Sequence, residues 1–360
     1  MRCKGRIAAG LAVTMVAALP AVAQAKEKSV VKYDSFEKSG GYTLADYSAN
    51  WSNPYGLLEM DPAVRADNRN FAGGTFNVDA TPYKVGADFS VYDHLKYMGV
   101  SNQAFDVPDE GSVTFSSDIK AATPGTVDGL VQQGIYAPSG TWTDPDLRPA
   151  GFAPYQAAVL QGQQAGAVMN MVDFCTGQLF DWFVSGNTAF ALIERLPSNI
   201  TGNTSNPGCP GATEVGRDEM YTQIIKEVPA DPGVAHHVGI EYTRGHDGRG
   251  SVEYRLDGKK VASVGNVGIP LDKQGVPYTG TYPSLGDGEQ LGGQIESFSI
   301  GHGLFSLIDA FPYQHPEAPE LDVSIPVGDG NPADAGRARL FGQGTNASFD
   351  NFEVATAARR

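Results

Sequence analysis

Punctuation restricts this chain more than any other feature. Residues 236–264 read HHVGIEYTRGHDGRGSVEYRLDGKKVASV, with apolar residues on alternate positions and glycine-containing turns between the runs. Val238, Ile240 and Tyr242 alternate with His237, Glu241 and Thr243, which predicts a strand with one buried face. Asp257-Gly258 supplies the two positive-φ positions of a type I′ hairpin and sets Tyr254 opposite Val261. The run GSVTFSSDIKA (111–121) behaves alike, with Val113, Phe115 and Ile119 on one face and Thr114, Ser116, Asp118 and Lys120 on the other. The 44 glycines and 23 prolines cut most of the chain into such short runs, so the expected fold class is all-β, an antiparallel β-sandwich. One short helix is expected over 303–311, where Leu304, Leu307, Ile308 and Phe311 follow helical spacing and Pro312 stops it. No repeat or low-complexity linker divides residues 26–360, which read as one domain.

The first 25 residues have the form of a secretory signal peptide. Arg2, Lys4 and Arg6 precede an apolar stretch, and Ala23-Gln24-Ala25 offers a small-x-small cleavage site. The expected destination is therefore extracellular, with no membrane span. Removing those three basic residues takes the formal net charge from −15 to −18. So acidic a surface excludes nucleic acid held through its phosphates and disfavours strongly anionic polymers. Two cysteines remain, Cys175 and Cys209, and an oxidising compartment predicts that they form one disulfide.

Several stretches bear a family likeness. The opening KYDSFEKSGG with Trp51, the closing ASFDNFEVAT and the strand–turn–strand run from His236 resemble concanavalin A-like jelly rolls, the superfamily of lectins and glucanases. The whole chain also resembles an uncharacterised family of secreted bacterial proteins. The resemblance implies a jelly roll acting on carbohydrate. Glucanases of the superfamily carry their acids on one strand as Glu-x-Asp-x-Glu or Glu-x-Asp-x-x-Glu. Here ELDVSI (320–325) and EMDPAV (59–64) match only the first two acids, so neither completes the motif.

A different pair of acids stands out in DFCTGQLFDWFVSGNTAFALIERL (173–196). With hairpin turns at Thr176-Gly177 and Gly186-Asn187, Val172 faces Asp181, Asn170 faces Phe183, Asp181 faces Leu192 and Leu179 faces Glu194. Asn170, Leu179, Asp181, Phe183, Leu192 and Glu194 then share one face, while Phe180, Trp182 and Ile193 take the other. Asp181 and Glu194 become diagonal neighbours, roughly 7–8 Å apart by backbone geometry. That spacing suits the carboxylate pair of a glycosidase, and apolar neighbours would raise the pKa of the acid. The other reading makes each acid a rim charge, or a partner of an arginine such as Arg217.

Further substrate contacts are expected from Asn170, from the sugar-stacking candidates Trp142 and Trp182, and from His302 and Tyr313 flanking the expected helix. His236 and His237 are adjacent on a strand and point to opposite faces, so they cannot share a metal. No cofactor is expected, although the loops VGDGNPADAG and HDGRG could hold a structural calcium. No Gly-x-Ser-x-Gly elbow or phosphate loop occurs. The sequence reading is a glycan-cleaving enzyme using Asp181 and Glu194, with a glycoside hydrolase favoured and a lyase possible. Its rival is a non-catalytic glycan-binding or envelope-associated sandwich.

Overall fold

The computed structural model describes residues 27–52, 69–83, 95–125, 131–136, 156–161, 165–216, 219, 221–278, 286–306 and 344–358. The expected signal peptide, Trp142, Arg217, Tyr313 and both partial acid motifs lie outside the described residues. In chain order the strands are β1 (Glu27–Asp34), β2 (Trp51–Ser52), β3 (Arg69–Asn70), β4 (Phe76–Ala80), β5 (Leu95–Ser101), β6 (Phe105–Asp106), β7 (Gly111–Ala122), β8 (Val131–Tyr136), β9 (Gln156–Gln161), β10 (Ala165–Val172), β11 (Gln178–Ser185), β12 (Thr188–Arg195), β13 (Tyr221–Pro229), β14 (Ala235–Arg244), β15 (Gly250–Leu256), β16 (Lys259–Gly265), β17 (Ser297–Ser306) and β18 (Thr345–Ala358).

These strands build an antiparallel sandwich of two large sheets. The first runs β16-β15-β14-β7-β18-β4-β3, with β1 also paired to β18. The second runs β13-β12-β11-β10-β17-β5-β2, with β6 beside β17, while β8 and β9 form a separate pair. Alternation decides which side chains meet between the sheets. Val113, Phe115 and Ile119 of β7 and Val238, Ile240 and Tyr242 of β14 point inward, against Met171, Phe180, Trp182 and Ile193 of the second sheet.

The hairpin read from Asp257-Gly258 is present, with φ of 50° and 76° at its two central residues. Its strands pair as expected at Leu256–Lys259 and Arg255–Lys260. A bulge then shifts Tyr254 onto Ala262 instead of Val261. The helix expected over 303–311 is corrected over its first four residues. Gly303–Ser306 complete β17, which is paired on both sides with β10 and β5. His302 and Leu304 face the core while Gly301 and Gly303 lie on the opposite face, so the period here is two. Residues 307–311 lie outside the described residues.

One acid anchors the N-terminal segment. Buried Asp34 accepts hydrogen bonds from the Phe36 N–H (2.9 Å), Tyr42 Oη (2.6 Å), Asn50 Nδ2 (3.0 Å) and Trp51 Nε1 (2.8 Å). The first of these holds Phe36, a bulky buried residue, at φ 50°. Asp34→Ala would strand four donors, so a loss of about 2–4 kcal/mol is expected, read as a lower urea midpoint.

Candidate functional site

The meander β10-β11-β12 carries the two acids where the sequence placed them, on one face of the second sheet. That face is turned away from the core. Val168, Phe183, Phe190, Leu192 and Ile224 form an apolar cluster on it, distinct from the core between the sheets. Both faces of the sheet are therefore apolar, as the residues from 170 to 195 predicted.

The second hairpin has the expected register, with Asp181 opposite Leu192 and Leu179 opposite Glu194. The first differs by two residues: Asn170, not Val172, is the cross-strand partner of Asp181. The cause is a wider turn built by Asp173. Its carboxylate accepts from the Cys175 N–H (2.9 Å), the Thr176 N–H (3.2 Å) and Thr176 Oγ1 (2.6 Å). The Gly177 N–H then closes onto the Asp173 carbonyl at 3.0 Å, with Gly177 at φ 77°. A slip of two residues keeps every side chain on its face, so the shared face survives.

The expected disulfide is present. Cys175 is joined to Cys209 at a sequence separation of 34. It ties the Asp173 turn to the 206–212 loop, and buried Asn203 adds hydrogen bonds to the Cys175 and Thr213 carbonyls at 2.9 and 3.0 Å. Replacing both cysteines by serine should lower stability by about 3–4 kcal/mol on the chain-entropy estimate. Thermal unfolding of the double variant against the parent under non-reducing conditions measures it.

Asp181 and Glu194 are closer than backbone geometry suggested. Their side chains lean together until the two carboxyls meet in a hydrogen bond. Asn170 Nδ2 donates to Asp181 Oδ1, and Thr222 Oγ1 on β13, directly opposite Glu194, donates to Glu194 Oε2 at 3.2 Å. Asp181 is only 4% exposed and Asn170 1%, whereas Glu194 is half-buried. Burial raises the pKa of both acids, and the neighbouring Glu194 charge adds to the rise at Asp181. No ion pair to either carboxyl occurs among the described residues. Two such acids in contact do not both ionise near neutrality, so together they keep at least one proton there.

Beside the pair a glycine stands next to Asn170 on the neighbouring strand. In the row Leu192–Asp181–Asn170–Gly301–Val100, the glycine follows the amide. A Cβ on Gly301 would lie 3.2 Å from Asn170 Oδ1, so a side chain there would press on the amide that holds Asp181. Asn170 Oδ1 itself is buried without a hydrogen-bond partner.

Two expected substrate contacts are corrected. Trp182 is 0% exposed and faces the core, where its Nε1 donates to the Gly239 carbonyl at 2.9 Å. It neighbours Asp181 in sequence and therefore takes the opposite face. His302 is likewise 0% exposed, enclosed by Phe36, Tyr47, Trp51, Phe76, Phe349 and Phe352, with Nε2 bonded to Tyr47 Oη at 2.8 Å. It belongs to β17, whose inward positions build the core, so it lines no sheet mouth. Thr222 was not among the expected residues. Extending the meander by one strand would have placed it opposite Glu194, but the long connection between Arg195 and Tyr221 leaves no tight turn from which to count the register.

Among the described residues no group of three or more His, Cys, Asp or Glu is placed to hold a metal ion. In the HDGRG loop, the Asp247 carboxylate accepts from the Arg249 N–H at 3.1 Å. The loop VGDGNPADAG lies outside the described residues. No described helix is long and apolar enough to cross a membrane.

No curated protein sequence matches the chain. Solved structures similar to it include an endo-1,3-β-glucanase from Streptomyces sioyaensis, at 10% identity and a TM-score of 0.42, covering 95% of this chain and 100% of that one. A family 7 alginate lyase is similar at 11% identity and a TM-score of 0.33, covering 92% and 93%. The β-glucanase of Bacillus licheniformis is similar at 7% identity and a TM-score of 0.31, covering 92% and 98%. Residues 147–358, more than half of the chain, match the family of unknown function DUF6081, and the chain belongs to that family.

Proposed function

We propose that this protein cleaves glycosidic bonds of a neutral extracellular polysaccharide, with Asp181 and Glu194 as its carboxylate pair. The observation that carries the reading is the contact between a buried and a half-buried carboxyl on an apolar sheet face away from the core. Glycosidic bonds are cleaved by such a pair, one carboxyl supplying a proton and the other acting as nucleophile or base. The raised pKa values keep one proton available at neutral pH, as acid catalysis requires.

The close approach favours a double displacement. Pairs that retain anomeric configuration stand about 5–5.5 Å apart, and inverting pairs about 6.5–9.5 Å. A glycosidic oxygen entering between carboxyls already in contact would part them toward the shorter spacing. Neutral polymers fit better than anionic ones, because the chain has a formal net charge of −15 and its pair is acidic. The disulfide supports an oxidising, extracellular setting.

The test is release of reducing ends from neutral glucans, xylans and mannans by the parent, Asp181→Asn and Glu194→Gln. Both variants should lose activity on whichever polymer the parent cleaves. Parent-level turnover by both would remove the reading.

A further inference from the structure

We propose that Asp181 is the proton donor of the pair and Glu194 its ionised nucleophile. The assignment rests on the catalytic reading above and adds to it which carboxyl does what.

The geometry is a chain of hydrogen bonds across β10, β11, β12 and β13. Asn170 Nδ2–H can only donate, so the Asp181 oxygen it meets must accept. Any proton on Asp181 therefore sits on its other oxygen. At the far end Thr222 Oγ1 donates to Glu194, which leaves that oxygen accepting as well. The remaining bond joins the two carboxyls, and it needs one proton.

Surroundings decide which carboxyl keeps it. Asp181 is almost sealed, faced by Asn170 from β10 and by Leu192 and Glu194 from β12. Glu194 is half-buried, faced by Leu179 and Asp181 from β11 and by the Thr222 hydroxyl from β13. No arginine, lysine or histidine contacts either carboxyl among the described residues. Charge settles on the better-hydrated group, which is Glu194, and the proton stays with Asp181.

The reaction then has a direction. Glu194 bonds to the anomeric carbon as the glycosidic C–O bond breaks, and the departing oxygen takes the Asp181 proton. Water next attacks the glycosyl ester while the Asp181 carboxylate accepts a proton from it, which frees Glu194 and restores Asp181.

The experiment is a carbon-13 NMR titration of protein labelled at the aspartate and glutamate carboxyls. The two resonances are assigned with D181N and E194Q, both near-isosteric. On raising the pH, Glu194 should move to its carboxylate position first, and Asp181 should keep its acid position to a higher pH. Ionisation of Asp181 first, or both groups titrating in the ordinary carboxylate range near pH 4, would overturn the assignment. Turnover of the two variants judges the catalytic reading separately. Undiminished turnover in both, with the expected titration order, removes catalysis and leaves only the address of the proton. Lost turnover with the order reversed keeps catalysis and overturns the roles.

Discussion

Asp181→Asn should make the protein more stable at neutral pH and, on the proposed function, sharply reduce cleavage. In the folded protein burial and the Glu194 charge hold the Asp181 pKa well above its ordinary value. In the unfolded chain the same carboxyl ionises in the usual range near 4. A group whose folded pKa is raised contributes stability below its unfolded pKa, and that contribution is lost as the pH rises. At pH 7 the parent therefore maintains a buried acid that the unfolded chain would release. An asparagine carries no such penalty, and its amide can still donate to Glu194 and accept from Asn170. The gain should be on the order of 1–3 kcal/mol, the usual cost of a poorly compensated buried polar group. It should shrink toward zero at pH 4 and below, where the unfolded parent also binds the proton. Turnover should fall by about 10²–10⁴-fold, the usual contribution of a general acid. Urea midpoints of parent and variant at pH 4 and pH 7, beside the reducing-end assay, measure both halves. A variant less stable than the parent at pH 7 would mean that Asp181 is ionised and satisfied in the fold.

The second large effect has the opposite sign with pH and comes from the core. His302 is fully buried, and desolvation lowers its pKa from 6.5 to about 3. Tyr97 Oη donates to Tyr47 Oη at 2.8 Å, so the Tyr47 hydroxyl gives its own hydrogen to His302 Nε2. The imidazole is therefore neutral with its hydrogen on Nδ1, which has no partner. The unfolded chain binds a proton at His302 below pH 6.5, and the folded protein binds it only near pH 3. Stability from this residue is complete above 6.5 and is lost as the pH falls between those values. The full span is on the order of 3–5 kcal/mol. His302→Phe should flatten the acid limb of the stability curve between pH 6.5 and 4. At neutral pH it should cost about 1 kcal/mol for the lost Tyr47 bond. Comparing the two proteins at each pH cancels the other titrating groups, including the acid pair with its opposite slope. Parallel curves would mean that the imidazole is protonated inside the fold.

What the sequence revealed depended on local rules. The Gly186-Asn187 turn and the Asp257-Gly258 turn have two central residues each, so counting gave the first register throughout and the second as far as the bulge at Tyr254. The Asp173 turn is organised by a side chain and a disulfide, and counting missed it by two residues. The shared face of Asp181 and Glu194 survived that error because strand parity has a period of two. Their contact did not follow from parity, since backbone spacing fixes Cβ positions and not where two buried acids lean. Trp182 was misplaced for a related reason. Both faces of its strand are apolar, so alternation separated it from Asp181 without saying which face is core. His302 was set beside an apparent helix, read from Leu304, Leu307, Ile308 and Phe311 at helical spacing, a pattern that pairing on both sides of β17 overrides at residues 303–306.

The strand β18 carries a consequence for how the protein is made. It lies between β7 on one side and β1 with β4 on the other, and its pairing with β1 joins residue 358 to residue 27. A nascent chain complete to residue 344 therefore still has its first sheet in separate pieces, with strand edges open on each. Closing that gap is a contact of very long sequence separation, which makes it a slow step. Until then the exposed edges invite pairing with other chains. Those edges close only when β18 pairs with β1, β4 and β7.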